Sequence, residues 1–342
     1  MSCRPKLQFV IWKLLAPDVF LMITIRDSCN AWNDVTTLRW LIYQFKRLFS
    51  ARSFPVVSMV LIQLVSRAGS IQLLESAPLL KGTGRGPGVA NLCIVSPADG
   101  VSFSVNENAD PDVRTDHLAA IPRLHPPGAG QSLLFRKSLT LPCSSGNFSM
   151  GTWQGIYLID LRSGSADPVE IEVTFRPSAR REEFSVMAAA RNAMQLETEI
   201  AKRLPAEAGV VLVHEKHTSA SLSIGSGTVE PAMNQVIPEK WHYEFFQHTL
   251  EGPDDMTGHL KCSLLGCSAT VPARPMAPVR LNEHRDAGGY GVGHQRRISL
   301  DHVTPKGESF ELEVSGTTEI GNELTKRGGE LVSVPWKAGV DF

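Results

Sequence analysis

The chain has 342 residues, of which 42% are apolar and 20% charged, and its formal net charge is -1. This composition predicts buried cores rather than disorder, and the length suffices for two or three domains. The balanced charge argues against a nucleic-acid-binding protein, which usually has an excess of basic residues. Six cysteines without CxxC spacing predict small buried thiols in a reducing, cytoplasmic compartment.

Residues 1–55 differ in character from the rest and stay unassigned. The segment LQFVIWKLLAPDVFLMITI is apolar, but Lys13, Pro17 and Asp18 interrupt it. A membrane span needs about 20 nearly uncharged residues, and a secretory signal needs a clean apolar core with a cleavage site. We therefore expect neither a membrane span nor a signal peptide in this extension.

The remaining sequence contains an internal repeat. SLLFRKSLTLP (132–142) is similar to SLLGCSATVP (263–272), and SFSV (102–105) is similar to SLSI (221–224), in the same order. We predict two copies of one domain-sized unit. The proposed boundaries are 56–176 for repeat 1, 177–302 for repeat 2 and 303–342 for a tail that could begin a truncated third copy.

Each repeat is predicted to be rich in β-strands with one or two helices. Opening strands are expected at 60–66 and 184–190, and a buried strand at 208–216. A helix is expected over 194–205, because its apolar spacing is helical and Lys-Arg precedes Pro205 at its end.

The stretch KHTSASLSI (216–224) alternates hydroxyl and apolar residues. Alternation of this kind predicts a strand whose two faces differ. Ser219, Ser221 and Ser223 would then share a wet face with His217. This face is either a polar wall of an active site or an ordinary solvated surface of a sheet.

The segment HTLEGPDDMTGHLK (248–261) is the densest group of polar residues. Its histidines, carboxylates and lysine suit cation binding, phosphate binding or proton transfer. Asp255 and His259 are four residues apart and would share one face of a helix. The alternative is a solvated loop in which the carboxylates cap a helix.

The segment NENADPDVRTD (106–116) is also polar, but it lacks the glycine and the final glutamate of a calcium loop. Asp110 and Pro111 form a helix start, with Asp110 as the N-cap and Pro111 at the first helical position.

The repeats retain different segments. Repeat 1 has NEN and GTWQGIYL but lacks the histidine of HTSAS and the whole EGPDDM segment. Repeat 2 has HTSAS and EGPDDM but lacks NEN and GTWQGI. We therefore expect a core strand to be missing from repeat 2, and because unpaired edges are costly, repeat 1 would have to supply it.

These strings, with EHRDAGG (283–289), resemble the consecutive motifs of the YjbQ family, described as secondary thiamine-phosphate synthase, over residues 56–302. The resemblance implies an α+β fold, with a β-sandwich-type domain and flanking helices, here tandemly duplicated. It also implies trimers, so we expect either a homo-oligomer or a pseudo-oligomer within one chain.

The implied activity is a weak transferase reaction. A pyrimidine methyl diphosphate and a thiazole phosphate would give thiamine phosphate and pyrophosphate. The expected catalytic residues are His217, Asp255 and His259, and Mg²⁺ would lie on Asp254 and Asp255. The expected substrate-binding and phosphate-binding residues are Ser219, Lys261, His248, Arg114, Asn106, Glu107, Trp153, Gln154 and His284.

Two interpretations of the incomplete repeats stay open. They could complement each other in one composite pocket, or the chain could be a degenerate tandem, or an incorrectly assembled gene, without a competent site. Alternatives to the synthase are a non-catalytic scaffold or anion-binding module, and a metal-dependent hydrolase that uses His217, Asp255 and His259. In each case the expected partners are small phosphorylated molecules, with neither nucleic acid nor membrane.

Overall fold

The computed structural model describes residues 58–80, 86–97, 99–164, 167–189, 191–204, 209–273, 276–286 and 293–304. The predictions for residues 1–55 and for a third copy in the tail lie outside this part of the chain. Within it, no helix is both long and apolar enough to cross a membrane.

Repeat 1 contains two antiparallel sheets. The larger has the order β1-β8-β3-β5-β6 and the smaller β2-β7-β4. The strands are β1 Ser58–Leu64, β2 Ser70–Leu74, β3 Pro87–Ser96, β4 Val101–Glu107, β5 Ser138–Ser144, β6 Asn147–Phe148, β7 Gln154–Asp160 and β8 Val169–Pro177. The helices are α1 Ser76–Leu79 and α2 Pro111–Leu124, followed by a 3-10 turn at Ala129–Leu134.

Repeat 2 has the same arrangement. Its sheets have the orders β9-β15-β11-β13 and β10-β14-β12, again antiparallel. The strands are β9 Arg180–Ala188, β10 Asn192–Gln195, β11 Val210–Glu215, β12 Ala220–Ile224, β13 Ser268–Pro272, β14 Val279–Glu283 and β15 His294–Val303. The helices are α3 Glu197–Ala201, α4 Glu230–Val236, α5 Trp241–Glu244 and α6 Pro253–Leu265.

Strand by strand, the repeats match: β1-β8-β3-β5 corresponds to β9-β15-β11-β13, and β2-β7-β4 corresponds to β10-β14-β12. Alternating burial along β8, with the apolar members of VEIEVTF inside, shows why this segment is a strand with one buried face. The duplication seen in the sequence is therefore a duplication of an α+β fold.

The expectation that repeat 2 lacks a core strand is wrong. Strand β14, Val279–Glu283, lies between β10 and β12, as β7 lies between β2 and β4. The shortening between Pro272 and Leu281 removes the turn before this strand, and the short sequence VRLNE is enough to pair with both neighbours. Repeat 1 therefore supplies no strand to this sheet.

The helix expected over 194–205 is also shorter than predicted. Met194 and Gln195 belong to β10 and pair with Leu281 and Arg280. Pairing in the sheet overrides the helical spacing at this end, so the helix covers only Glu197–Ala201.

The helices join the two repeats. Helix α2 begins as predicted at Pro111, and the Asp110 side chain accepts a hydrogen bond from the Asp112 backbone N–H at 2.9 Å. One apolar cluster combines Val113 and Ala120 of α2 with residues of repeat 2, including Trp241, Met256 and Leu260. Helix α6 contacts both β12 of its own repeat and β4 of repeat 1.

Candidate functional site

The polar residues that the sequence singled out meet beneath helix α6. Asp255 and His259 lie four residues apart on this helix, as predicted, and His248 precedes it. The His248 Nε2 lies 2.7 Å from Asp255 Oδ2, and the His259 Nε2 lies 3.5 Å from the same oxygen. We call His248, Asp255 and His259 the HDH cluster.

Repeat 1 surrounds the HDH cluster with hydrogen-bond acceptors. Asp110 Oδ2 lies 2.6 Å from His248 Nδ1, and Asn106 Oδ1 lies 2.7 Å from His259 Nδ1. Asp116 on α2 accepts the backbone N–H groups of Gln247 and His248 at 2.9 Å. The position and orientation of His248 are therefore fixed largely by residues of the other repeat.

Asn106 is the most fully engaged of these groups. Its Nδ2 donates to the His259 carbonyl at 2.6 Å and to Ser263 Oγ at 2.7 Å, and its Oδ1 accepts from the Glu107 N–H at 2.8 Å. The predicted Asn106 thus lies at the site, but it supports His259 and is buried, with no polar atom left for a substrate.

The charged forms of Asp255 and His248 stabilise each other. Burial tends to raise the pKa of Asp255, but hydrogen bonds from His248 and His259 outweigh it and hold that pKa well below its usual range. The hydrogen bond to Asp255, helped by Asp110 against the effect of burial, raises the pKa of His248 to about 9. At neutral pH the cluster therefore contains an ionised Asp255 and a protonated His248.

Asp255 has a further partner that the sequence reading omitted. Arg285 Nη1 lies 2.7 Å from Asp255 Oδ1 and 3.0 Å from Glu251 Oε2. Arg285 belongs to the segment EHRDAGG, in which the resemblance predicts only His284 as a site residue. A guanidinium is the better candidate for a charged partner, because it remains protonated in any protein site.

His217 is a neutral imidazole with a defined tautomer. The Ser219 backbone N–H donates to His217 Nδ1 at 3.2 Å, so the ring proton lies on Nε2. Burial, together with nearby Arg296, lowers the pKa of His217 to about 3. Among the described residues its Nε2 has no hydrogen-bond partner, so this N–H can donate to a bound molecule.

Glu215 contacts the backbone of His217, and the sequence did not predict it as a site residue. Its Oε2 accepts the His217 backbone N–H at 2.9 Å, whereas its Oε1 has no hydrogen-bond partner among the described residues. Burial raises the pKa of Glu215 to about 8. No local pattern in HEKH indicated this, because the burial comes from strands elsewhere in the chain.

The motif GTWQ takes a different role from the one expected. Gln154 is buried, and its Nε2 donates to the carbonyls of Glu215 and His217 at 2.9 and 2.7 Å. Its Oε1 accepts from the Gly151 N–H and lies 3.0 Å from His214 Nε2. Gln154 therefore joins the repeats and is not free for a substrate.

Trp153, in the same turn, is 58% exposed, so it is not a core residue. Its carbonyl accepts the Asn108 N–H at 2.8 Å, which places this turn beside the segment of Glu107 and Asp110. Glu107 and Arg114 are half-buried at the same edge, where Glu107 Oε1 accepts the Ala109 N–H.

Lys261 and His284 are not placed to bind phosphate. Lys261 is buried and its Nζ lies 2.5 Å from Glu230 Oε1 and 2.6 Å from Asn234 Oδ1. His284 Nδ1 lies 2.7 Å from Glu230 Oε2. Both groups belong to a buried network under α4, because Glu230, which the sequence reading passed over, draws them away from the surface.

The serine face of β12 is likewise covered and not wet. Ser219 and Ser221 are buried, since helix α6 packs on this strand. Ser221 Oγ lies 2.9 Å from His284 Nε2, and Ser219 Oγ lies 3.2 Å from His217 Nδ1. The prediction of a wet face is therefore wrong, and Ser219 supports His217 rather than facing a ligand.

Asp254 lies outside the HDH cluster. Its Oδ2 accepts the Asp286 backbone N–H at 2.8 Å, so it holds the segment after β14. Asp254 and Asp255, the pair expected to bind a metal, therefore do not come together, and Asp255 lies instead with two histidines whose donor atoms are within 4.8 Å of its own. Neighbouring residues on a helix point about 100° apart, which explains why the two carboxylates separate.

Comparison with known proteins identifies the family of this chain. The model of the UPF0047 protein YjbQ-like family matches residues 82–174 and 182–278, which is more than half of the chain. The UPF0047 protein YjbQ of Salmonella typhimurium is 35% identical, over 25% of this chain and 70% of that protein. The UPF0047 protein YjbQ of Escherichia coli O157:H7 is 35% identical over 22% of this chain and 62% of that protein, which is slightly less than two thirds of its length.

Solved structures are also similar. An X-ray structure of a structural genomics target from Clostridium acetobutylicum is 24% identical and covers 35% of this chain and 99% of its own, with a TM-score of 0.30. A YbjQ-like protein of unknown function from Sulfolobus solfataricus is 17% identical. The match covers 36% of this chain and 98% of that protein, with a TM-score of 0.31. From the family match over both segments, this chain belongs to the UPF0047 YjbQ-like family and contains two tandem copies of its domain.

Proposed function

We propose that the two repeats form one composite active site, which catalyses a weak thiamine-phosphate-synthase-like reaction on small phosphorylated substrates. One observation supports this proposal most. The motif residues that the repeats divide between them, Asp110 and Asn106 from repeat 1 and His248 and His259 from repeat 2, are in direct hydrogen-bond contact.

The proposed reaction requires groups that orient a pyrimidine ring and stabilise a leaving diphosphate. The neutral His217 offers its Nε2–H as a donor to a ring nitrogen or a phosphate oxygen. Trp153 offers an exposed indole on which an aromatic ring can stack. Asp255 and His248 would hold the polar wall in a fixed orientation, because their mutual hydrogen bonds leave them little freedom.

The positive charge at the site is limited. Lys261 is committed to Glu230, and Arg285 is shared between Asp255 and Glu251. Arg114 is the remaining half-buried guanidinium that we assign to the phosphates. Weak stabilisation of a diphosphate leaving group fits a slow reaction better than a rapid one.

The test uses the full chain with the pyrimidine methyl diphosphate and the thiazole phosphate, with and without divalent cation. We expect thiamine phosphate and pyrophosphate to form in equal amounts. The rate should fall by roughly 100-fold in His217→Ala and Asp255→Asn. His125→Ala, at the far end of α2, is the matched control and should keep the full rate. Equal rates in all four proteins, or no product, would overturn the proposal.

A metal-dependent hydrolase is the second candidate, and the HDH cluster is the observation that favours it. Two imidazoles and one carboxylate are a common ligand set of hydrolytic metal sites. Release of inorganic phosphate from p-nitrophenyl phosphate, lost in His259→Ala and retained in His125→Ala, would favour this candidate over the synthase. Failure of the wild-type protein to release phosphate with any divalent cation would remove it.

A further inference from the structure

Three potential ligand atoms converge at the HDH cluster. His248 and His259 both direct Nε2 toward Asp255 Oδ2, and the three donor atoms lie within 4.8 Å of one another. One protonated imidazole, that of His248, would be enough to form a hydrogen-bonded ion pair with Asp255 Oδ2. Because the imidazole of His259 also points at this oxygen, a single ion could contact all three side chains.

The hydrogen bonds on the far side of each ring fix the tautomers. His248 Nδ1 faces the Asp110 carboxylate, which only accepts, so Nδ1 carries a proton. His259 Nδ1 faces Asn106 Oδ1, whose identity as the oxygen is fixed because Nδ2 donates to the His259 carbonyl. When each ring carries a single proton, as a metal ligand must, both Nε2 atoms are lone-pair donors that point inward. His248 would release the second proton that it holds at neutral pH when an ion binds.

This is the outer shell that metal-bound histidines usually have, with the second ring nitrogen held by a carboxylate or carbonyl oxygen. Both outer groups come from repeat 1, whereas all three inner side chains come from repeat 2. Asp255 fits the same scheme, because Arg285 occupies its Oδ1 at 2.7 Å and leaves Oδ2 toward the rings.

We propose that the HDH cluster is a binding site for a divalent transition-metal ion of the Zn²⁺ type. Its ligands would be His248 Nε2, Asp255 Oδ2 and His259 Nε2, and Asp110 and Asn106 would form its outer shell. Two nitrogen donors and one oxygen suit Zn²⁺ or Co²⁺, whereas Mg²⁺ favours oxygen ligands and water. Three protein ligands leave positions open for water or a phosphate oxygen, which gives the proposed active site an electrophile.

Equilibrium dialysis of the full chain against Zn²⁺, Co²⁺ and Mg²⁺, after removal of metal with a chelator, tests the proposal. We expect one Zn²⁺ per chain, bound at least roughly 100-fold more tightly than Mg²⁺. Co²⁺ should show the visible absorption of a tetrahedral or five-coordinate site. Asp255→Asn and His259→Ala should abolish binding, and His125→Ala should leave it unchanged.

A substitution of Asp110 tests the outer shell separately from the three ligands. Asp110→Ser keeps an N-cap for α2, since serine caps helices as well as aspartate, but its side chain is too short to reach His248. We expect Zn²⁺ to bind about 10–100-fold more weakly to this variant, because a second-shell acceptor is lost. Thermal unfolding of each variant verifies that it is folded, so that lost binding is not lost structure.

Two results would overturn the proposal. One is no Zn²⁺ binding by the folded wild-type chain, and the other is binding that Asp255→Asn and His259→Ala leave intact, which would place the ion elsewhere. The proposal deepens the proposed function at the same site, but its measurement is binding and not turnover. Zn²⁺ binding without synthase turnover would support this site and contradict the synthase.

Discussion

Apart from the two-residue edge strand β6 of repeat 1, the two repeats have the same strand order in both of their sheets, yet their connections between equivalent strands differ. Between β4 and β5, repeat 1 has helix α2 and a 3-10 turn. Between β12 and β13, repeat 2 has three helices, α4, α5 and α6. Asp110 lies in the first connection and Asn106 lies in β4 just before it, whereas the HDH cluster lies entirely in the second connection.

The candidate site is therefore built without one complete repeat. Helix α6 lies on β12 of its own repeat and also on β4 of repeat 1, so one helix serves two sheets. His259 of this helix is held by Asn106 of β4, whereas His248, which precedes the helix, is held by Asp110 and Asp116 of repeat 1. Loss of opposite segments from the two copies is therefore compatible with one site, although each copy alone lacks part of it.

The largest effect should come from the buried network that repeat 2 has under α4. Glu230→Gln removes the carboxylate that Lys261 and His284 share, and it leaves the Lys261 ammonium buried without an opposite charge. We expect the free energy of unfolding in urea to fall by about 3–5 kcal/mol. Glu199→Gln, which breaks exposed pairs with Lys202 and Arg203, is the control and should leave the free energy of unfolding almost unchanged. Similar losses for both variants would mean that this network does not anchor α6.

The second-largest effect should come from Asn106, the residue of repeat 1 that holds His259 of repeat 2. Asn106→Leu removes one buried hydrogen-bond partner from His259 Nδ1 and one from Ser263, which keep only the Thr218 carbonyl and His117. We expect the free energy of unfolding to fall by about 1–3 kcal/mol. The substitution should also reduce turnover per folded molecule by roughly 100-fold, because His259 loses its orientation.

Asn282→Leu is the matched control for Asn106→Leu. Asn282 is a buried asparagine of repeat 2 that bonds Ser221 and Ser223 and does not touch the HDH cluster. We expect a similar loss of stability with unchanged turnover. If both variants lose turnover equally, the effect of Asn106 is not specific to the site.

A smaller effect is expected in the pH dependence of stability. The pKa of Glu215 is raised by burial to about 8 in the folded chain, from 4.5 in the unfolded chain. Between these values the folded state holds a proton that the unfolded state has released, so stability falls as pH rises through this window. Glu215→Gln should remove about 2 kcal/mol of the decline between pH 6 and pH 9. Parallel curves for the two proteins would contradict a protonated Glu215.

Part of this arrangement could be predicted from the sequence. The pairing of Asp255 with His259 follows from their spacing on a helix, and the start of α2 follows from Asp110 and Pro111. The duplication follows from motifs in the same order. These features depend on residues that are close together in the chain or on direct similarity.

The rest depends on contacts between distant residues, which local patterns do not report. Asp110 and His248 are 138 positions apart, and Asn106 and His259 are 153 apart. Alternation correctly predicted β12, but it could not show that α6 covers its serine face. Lys261 likewise appears available in the sequence, because nothing near it reveals that Glu230 lies beside it.

The most direct test of the central claim, that the two repeats build one site together, is a double-mutant cycle across their boundary. Asp110→Ser, His248→Ala and the double variant would be compared by their free energies of unfolding at pH 7, without metal. We predict a coupling free energy of about 0.5–3 kcal/mol, with the double variant little worse than His248→Ala alone. Losses that add to within about 0.3 kcal/mol would contradict it, because Asp110 and His248 would then not be in contact.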